Sequence, residues 1–218
     1  MSTLRLTNRG YKLQKSVRLI GIVGNAHTGK DSLAKYLANS LDATVYIHPF
    51  AWFLKGCASE AFGIPFDNFV STVTKEQTHP FWGVSPREVA QYVGTEMFRA
   101  LDSDFWIYRL IGHIDGDLEL PEAWEAYSDG DVLLIPDVRF ENEVEFILAN
   151  NGHLIHLTRP GEVGNVGIPG HESEAGISSS VLASLYHIHN GGTLEELYLE
   201  VDKFIDKFFA DDKISQEE

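Results

Sequence analysis

The stretch Gly24-Asn25-Ala26-His27-Thr28-Gly29-Lys30-Asp31-Ser32 has the residue types and spacing of a loop that holds phosphate. Glycines at its two ends let the main chain curl until N–H groups point inward. A helix N-terminus behind the loop adds partial positive charge, and the lysine reaches the terminal phosphates of a nucleotide. The loop departs from the usual pattern at Asp31, which stands where Ser or Thr normally meets Mg²⁺. Asp31 and Ser32 are the candidate metal ligands, because Mg²⁺ takes hard oxygens and keeps several waters. A carboxylate beside phosphates is repelled unless a cation lies between them, so Asp31 is expected to act through Mg²⁺ or to position an acceptor phosphate. A glycine-rich turn that binds nothing is the plain alternative. The context speaks against it: an apolar run at 17–23 leads into the loop and a helix-like stretch at 31–41 leaves it.

A phosphate to be transferred also needs a cationic clamp on its acceptor. The chain has only 17 Lys and Arg against 32 Asp and Glu, so each cation's position carries information. The clamp candidates are Lys55, Arg87, Arg139 and Arg159. The planar arginine fork meets two phosphate oxygens at once, which a lysine cannot do. Arg139 follows a buried apolar run through Pro136-Asp137-Val138, and Arg87 sits in the first turn of a helix capped by Ser85-Pro86-Arg87-Glu88. Lys55 reads equally well as a lysine whose stem lies on a helix and whose head reaches water. Arg159, before Pro160, is placed to stack on a donor base or to close with a lid. Asp137 is a second carboxylate for the metal or the acceptor, with a turn-capping role as its alternative. Gln91 offers paired donor and acceptor atoms to a base and Trp106 offers a flat face, although a core tryptophan reads the same way. Nine histidines supply no third ligand at metal spacing, so core or surface roles are expected for them.

These residues must be positioned by alternating elements. Strands are expected at 17–23, 44–48, 132–135 (ending at Pro136-Asp137), 153–158 and 185–189. Helices are expected at 31–41, 50–62, 85–101, 104–114, 141–150 and 193–209, the last opening with a second capping box, Thr193 to Glu196. Residues 65–80 read as a loop-rich insertion and 161–180 as a glycine-rich lid. Strands separated by helices imply a parallel sheet covered on both faces, with ligands at the carboxyl ends of the strands. The loop at 24–32, the turn at 49–51 and the segment 136–139 are therefore expected to meet in one cleft.

The chain has 218 residues, 44% of them apolar, enough for one α/β domain. Residues 15–210 are assigned to it, with 1–14 an N-terminal extension and 211–218 an acidic tail. The net charge of −15 argues against nucleic acid as the main partner. No apolar run approaches the roughly 20 residues that span a bilayer. The first residues lack the apolar stretch of a signal peptide, and the single cysteine, Cys57, excludes an internal disulfide. A reducing cytoplasm is expected, with Cys57 a small core residue on its helix.

Several short motifs run in one order: Gly29-Lys30-Asp31-Ser32; Phe50-Ala51 with Leu54-Lys55; Gln91 with Gly94-Thr95; Phe105-Trp106; Pro136-Asp137-Val138-Arg139; Arg159-Pro160; His171-Glu172-Ser173-Glu174-Ala175-Gly176; and Asn190-Gly191-Gly192-Thr193-Leu194. On these the chain resembles the bacteriophage deoxynucleoside monophosphate kinases, a branch of the P-loop kinases, over about residues 17–205. Phe53 departs from the family's Phe-Ala-x-Pro turn. The resemblance implies a P-loop kinase fold, a parallel five-stranded sheet with helices on both faces and a small lid. It implies transfer of the γ-phosphate of ATP to a deoxynucleoside 5′-monophosphate, with Mg²⁺. It gives Lys30, Asp31, Arg87 and Arg139 to catalysis and residues 24–32 with Arg159 to the donor. It gives Lys55, Arg87, Gln91, Gly94, Thr95, Trp106, Asp137, Arg139 and Glu143 to the acceptor. Host cytoplasm, a homodimer, and no nucleic-acid or membrane partner are further expectations. The rival readings are a kinase for another small phosphorylated metabolite, of the dephospho-coenzyme A or phosphomevalonate type, and a nucleotide-binding module without transfer activity. There is no Asn-Lys-x-Asp guanine signature.

Overall fold

In the computed structural model the described residues are 10–118, 126–161 and 176–212. Most of the expected lid, part of the acidic stretch before residue 126, and the end of the acidic tail lie outside them. Five parallel strands form one sheet in the order β2-β3-β1-β4-β5. They are β1 (Arg18–Val23), β2 (Val45–Ile47), β3 (Val132–Val138), β4 (His153–Thr158) and β5 (Tyr186–His189). The helices are α1 (Lys30–Ser40), α2 (Ala51–Phe62), α3 (Phe66–Val70), α4 (Pro86–Gln91), α5 (Phe105–Asp115), α6 (Glu141–Ala149), α7 (Ser179–Leu182) and α8 (Leu194–Phe208). No helix among the described residues is long and apolar enough to cross a membrane.

The strands are apolar on both faces because helices cover both. In β1, Leu19 and Val23 enter one core layer, with Phe53 of α2, Ile107, Leu110 and Ile111 of α5, and Phe146 and Ile147 of α6. Ile20 and Ile22 enter the other, with Leu33 and Leu37 of α1 and Leu197, Val201, Phe204 and Ile205 of α8. Burial of each such side chain contributes up to about 1.5–3 kcal/mol, which favours the strand order that the site depends on. Glycine at position 21 lets α6 and β4 pack close on β1: a Cβ would lie 2.6 Å from the side-chain ends of both Ile147 and Leu154, which would have to shift.

Four expectations need correction. Strand β3 does not stop at Pro136 but runs on to Val138. Gly21 pairs with Ile135 while Val23 pairs with Val138, so β3 carries an extra residue there. A proline cannot donate to the ladder, and a bulge accommodates it while re-aiming the next side chain, Asp137. The segment 65–80 holds a short helix, α3, whose Phe69 is buried against Val89 and Val93. Cys57 is exposed, because α2 spends its inward positions on Phe53 and Ala58. Before β1, Tyr11 and Leu13 are not outside the domain: both pack on the first core layer, and Asn150 accepts from Leu13 N–H and donates to the Tyr11 carbonyl.

The capped helix expected from Ser85 is present, with both halves of its capping box formed between Ser85 and Glu88. Beyond Gln91 it continues as wider π turns over Tyr92–Arg99. Such turns are often found at functional sites. They bring Gly94, Thr95 and Arg99 toward the same cavity as Gln91.

Candidate active site

The loop at the end of β1 is shaped by what cannot be there. A Cβ on Gly24 would lie 2.6 Å from the Leu157 carbonyl, and Gly29 has φ 102° with a Cβ position 2.7 Å from the Asn190 amide. His27 also takes a left-handed conformation, φ 64°. Thr28 is fully buried; its hydroxyl donates to the Asn25 carbonyl (3.0 Å), and the Asn190 amide donates to the Thr28 carbonyl (2.7 Å). Thr28 therefore builds the loop and does not line a cavity, whereas Gly24, Asn25, Ala26, His27, Gly29, Lys30, Asp31 and Ser32 do. The Lys30 ammonium donates to the carbonyls of Gly24 (2.8 Å) and Asn25 (2.5 Å). A phosphate would offer it charged and stronger acceptors than these.

Above the loop is a cavity of about 670 Å³, reached also by Asp137, Arg139, His156 and Arg159. Beside it is a second cavity of about 280 Å³. Lys55, Arg87, Gln91, Gly94, Thr95, Trp106, Asp137, Arg139 and Glu143, all assigned to an acceptor from sequence, line this second cavity together.

Asp137 does what its capping alternative describes and also faces both cavities. Its two carboxylate oxygens accept the N–H groups of Phe50 (2.8 Å) and Ala51 (2.9 Å), tying the start of α2 to the end of β3. Lys55, one turn further along α2, is half-buried and lines the second cavity, so its stem is not lying on an exposed face. Burial lowers its pKa from the usual lysine value. The Asp137 charge opposes that shift, and the positive charges of Lys75, Arg139 and Arg87 add to it. Arg87 is not a solvated surface arginine: its Nε donates to the Glu76 carboxylate at 2.6 Å. Trp106 is both core and cavity wall. It is 5% exposed, and its indole N–H donates to the Gly94 carbonyl at 3.1 Å.

Glu143 is buried at the base of α6, where one carboxylate oxygen accepts the N–H groups of Arg139 (2.7 Å) and Phe140 (3.1 Å). Burial pushes its pKa up to about 7. Its hydrogen bonds and Arg99 favour the charged form, and the Asp137 charge opposes it. The Arg99 guanidinium lies 3.6 Å from the centre of the Phe140 ring, at the wall of the same cavity.

The residues fit a magnesium ion of the kind that phosphates help to hold. Asp31 faces both cavities at the start of α1, and Ser32 follows it into the larger one. Among the described residues no group of three or more His, Cys, Asp or Glu could hold a metal unaided. One or two protein oxygens completed by phosphate oxygens and water is the coordination Mg²⁺ prefers.

Compared with known proteins, the deoxynucleotide monophosphate kinase profile matches residues 65–201. The chain belongs to the deoxynucleotide monophosphate kinase family. A provisionally named deoxynucleotide monophosphate kinase of Acanthamoeba polyphaga mimivirus is 28% identical over 200 residues, covering 86% of this chain and 96% of that protein. A solved sugar kinase from Janibacter sp. HTCC2649 aligns over 91% of this chain and 99% of its own, at 14% identity and a TM-score of 0.35, too low to bear on fold or function.

Among the basic and histidine side chains that line the cavities, three were not anticipated, and neither was one loop anchor. Lys75 and Arg99 reach the second cavity, and Lys75 and His156 the first. Asn190 anchors the loop at 24–32. Arg99 had a signal: it follows Gln91 and Thr95 at helical spacing. Lys75 had none, since its neighbours Thr72 to Gln77 show no periodicity.

Proposed function

We propose that this kinase transfers the γ-phosphate of ATP to a deoxynucleoside 5′-monophosphate, giving ADP and the deoxynucleoside diphosphate, with Mg²⁺. One observation carries the reading. The cavity over the 24–32 loop shares a wall with a second, smaller cavity, and the six residues common to both are all charged, four of them cations suited to phosphate. The larger suits a triphosphate, and the smaller, walled by Trp106, Gln91 and Thr95, suits a base and sugar.

In this reading an oxygen of the acceptor phosphate attacks the γ-phosphorus. The bond from that phosphorus to the β–γ bridging oxygen breaks, and the charge leaves on ADP. Lys30 and the loop N–H groups hold the β and γ phosphates. Arg87 and Arg139 clamp the acceptor phosphate and neutralise charge on the transferring group, where fixed cations act most strongly. Asp31 and Ser32 would hold Mg²⁺, which supplies further neutralisation of the phosphate oxygens when bound. Arg159 lies on the donor side.

A coupled assay of ADP formation, run against a panel of deoxynucleoside and ribonucleoside monophosphates, tests this. Deoxynucleotide-dependent turnover is expected. Turnover only with another phosphorylated metabolite, or ATP binding with no transfer to any of them, would overturn it.

A further inference from the structure

We propose that Lys75 touches the transferring phosphoryl group and the acceptor phosphate together, as a cation delivered by the segment between α3 and α4. The proposal rests on the transfer reading above.

Six residues line both cavities: Lys30, Asp31, Lys75, Arg87, Asp137 and Arg139. Five of them come from the phosphate loop, the α4 start and the β3 end. Lys75 comes from a polar segment with no regular structure of its own, yet that segment is fixed. The Ser71 hydroxyl accepts the N–H groups of Val73 and Thr74, both at 3.2 Å. Lys75 N–H donates to the Ser71 carbonyl (3.3 Å), and the Lys75 carbonyl accepts from Arg87 N–H (3.0 Å). Next to it, Glu76 holds Arg87 by its Nε, so the terminal nitrogens of that fork remain for a ligand. The segment thus sets Lys75 and Arg87 as a pair on the first turn of α4.

Charge gives the reason for the pair. Lys75, Arg87 and Arg139 all bear on the half-buried Lys55, and the negative charge that favours its ammonium is Asp137. The oxygens of Asp137 are already engaged by Phe50 and Ala51 N–H. Converging like charges oppose one another, and in a chain of net charge −15 such a cluster is not a consequence of composition. A polyanion spanning both cavities relieves it. Lysine suits the junction because a compact charge on a flexible stem can follow a phosphoryl group as it moves, where a forked arginine holds one geometry.

Lys75→Met, with Lys203→Met on the exposed face of α8 as a control for the lost charge, tests this. Three quantities are read: steady-state transfer, affinity for ATP alone, and affinity for a bisubstrate ligand joining adenosine to a deoxynucleoside through five phosphates. Lys75→Met is expected to lower kcat/KM by about 10-fold or more and to weaken bisubstrate binding similarly, with ATP affinity within about twofold. Lys203→Met is expected to match wild type in all three. Unchanged transfer and bisubstrate affinity would overturn the proposal, as would an equal loss of ATP affinity, which would place Lys75 on the donor alone. Should the wild type phosphorylate no deoxynucleotide, the transfer reading fails, and the two binding measurements still decide the place of Lys75. Lys75→Gln supplies the same readings if the methionine variant does not fold.

Discussion

At the residue scale, charge and burial give each cavity residue a distinct expected behaviour. Arg139→Ala is expected to reduce kcat/KM for the acceptor by roughly 10²-fold or more while ATP binding changes little, and Arg139→Lys to recover only a small part, because a point charge cannot replace a fork. Steady-state kinetics with an ATP titration check it; equal loss toward both substrates would move Arg139 to the donor side. Asp31→Ala is expected to raise the Mg²⁺ concentration needed for half-maximal activity, and Asp31→Ser to lose less. An unchanged metal requirement would leave Asp31 as a helix-start carboxylate worth about 0.3–1 kcal/mol. Glu143 makes a pH prediction. Its folded pKa of about 7 stands above the ordinary glutamate value of 4.5, so the folded state keeps a proton that the unfolded chain releases. Stability from this group is therefore present at low pH and lost as pH rises from about 4.5 to 7, by an amount on the order of 1–3 kcal/mol. In denaturant unfolding at several pH values, wild type should lose stability over that window relative to Glu143→Gln; parallel profiles would sink the assignment. Local context made Arg139 and Asp137 legible in the sequence, since a buried run ending in Pro-Asp-x-Arg reads as a strand end. The capping partners of Asp137 were not legible, because Phe50 and Ala51 lie 87 and 86 residues away and no local pattern encodes that distance.

At the element scale, the strands and long helices were legible from apolar runs and capping boxes, and they appear where expected within a few residues. What escaped was irregularity: the bulge that carries β3 past Pro136, the wide turns after Gln91, and the short α3 under a polar segment. Each depends on tertiary contacts, such as Phe69 against Val89 and Val93, that outweigh weak local preference. The loop at 24–32 is the same kind of case, because its conformation is held through Asn190, just past the end of β5. Asn190→Ala leaves the buried Thr28 carbonyl without its donor, a cost of about 1–3 kcal/mol, and loosens the loop. Weaker ATP binding with little change in acceptor KM is expected, and Asn190→Asp, which sets an acceptor against that carbonyl, should be no better. Thermal unfolding with an ATP titration tests this; a stability loss with intact ATP affinity would make the contact purely structural.

At the scale of the whole molecule, the charge is arranged against its own average. The chain carries −15, yet Lys55, Lys75, Arg87 and Arg139 face one cavity system. Two kinds of electrostatic strain follow, and salts separate them. Acid–acid repulsion over the surface is relieved by any salt, because at about 0.1 M the screening length falls to about 10 Å. The repulsion among the cations half-enclosed in this cleft, Lys30 and Arg99 included, is screened less, and is relieved by an anion that enters. At matched ionic strength, sodium pyrophosphate is therefore expected to raise the melting temperature more than sodium chloride, since a ligand that binds only the folded state stabilises it by mass action. The excess should shrink in Arg139→Ala and in Lys75→Met, and persist in Lys203→Met. Melting curves of the four proteins in the two salts measure it. Equal shifts in both salts for the wild type would mean that the cations merely share a wall. A pyrophosphate excess that survives loss of Arg139 and of Lys75 would locate the anion on the phosphate loop alone.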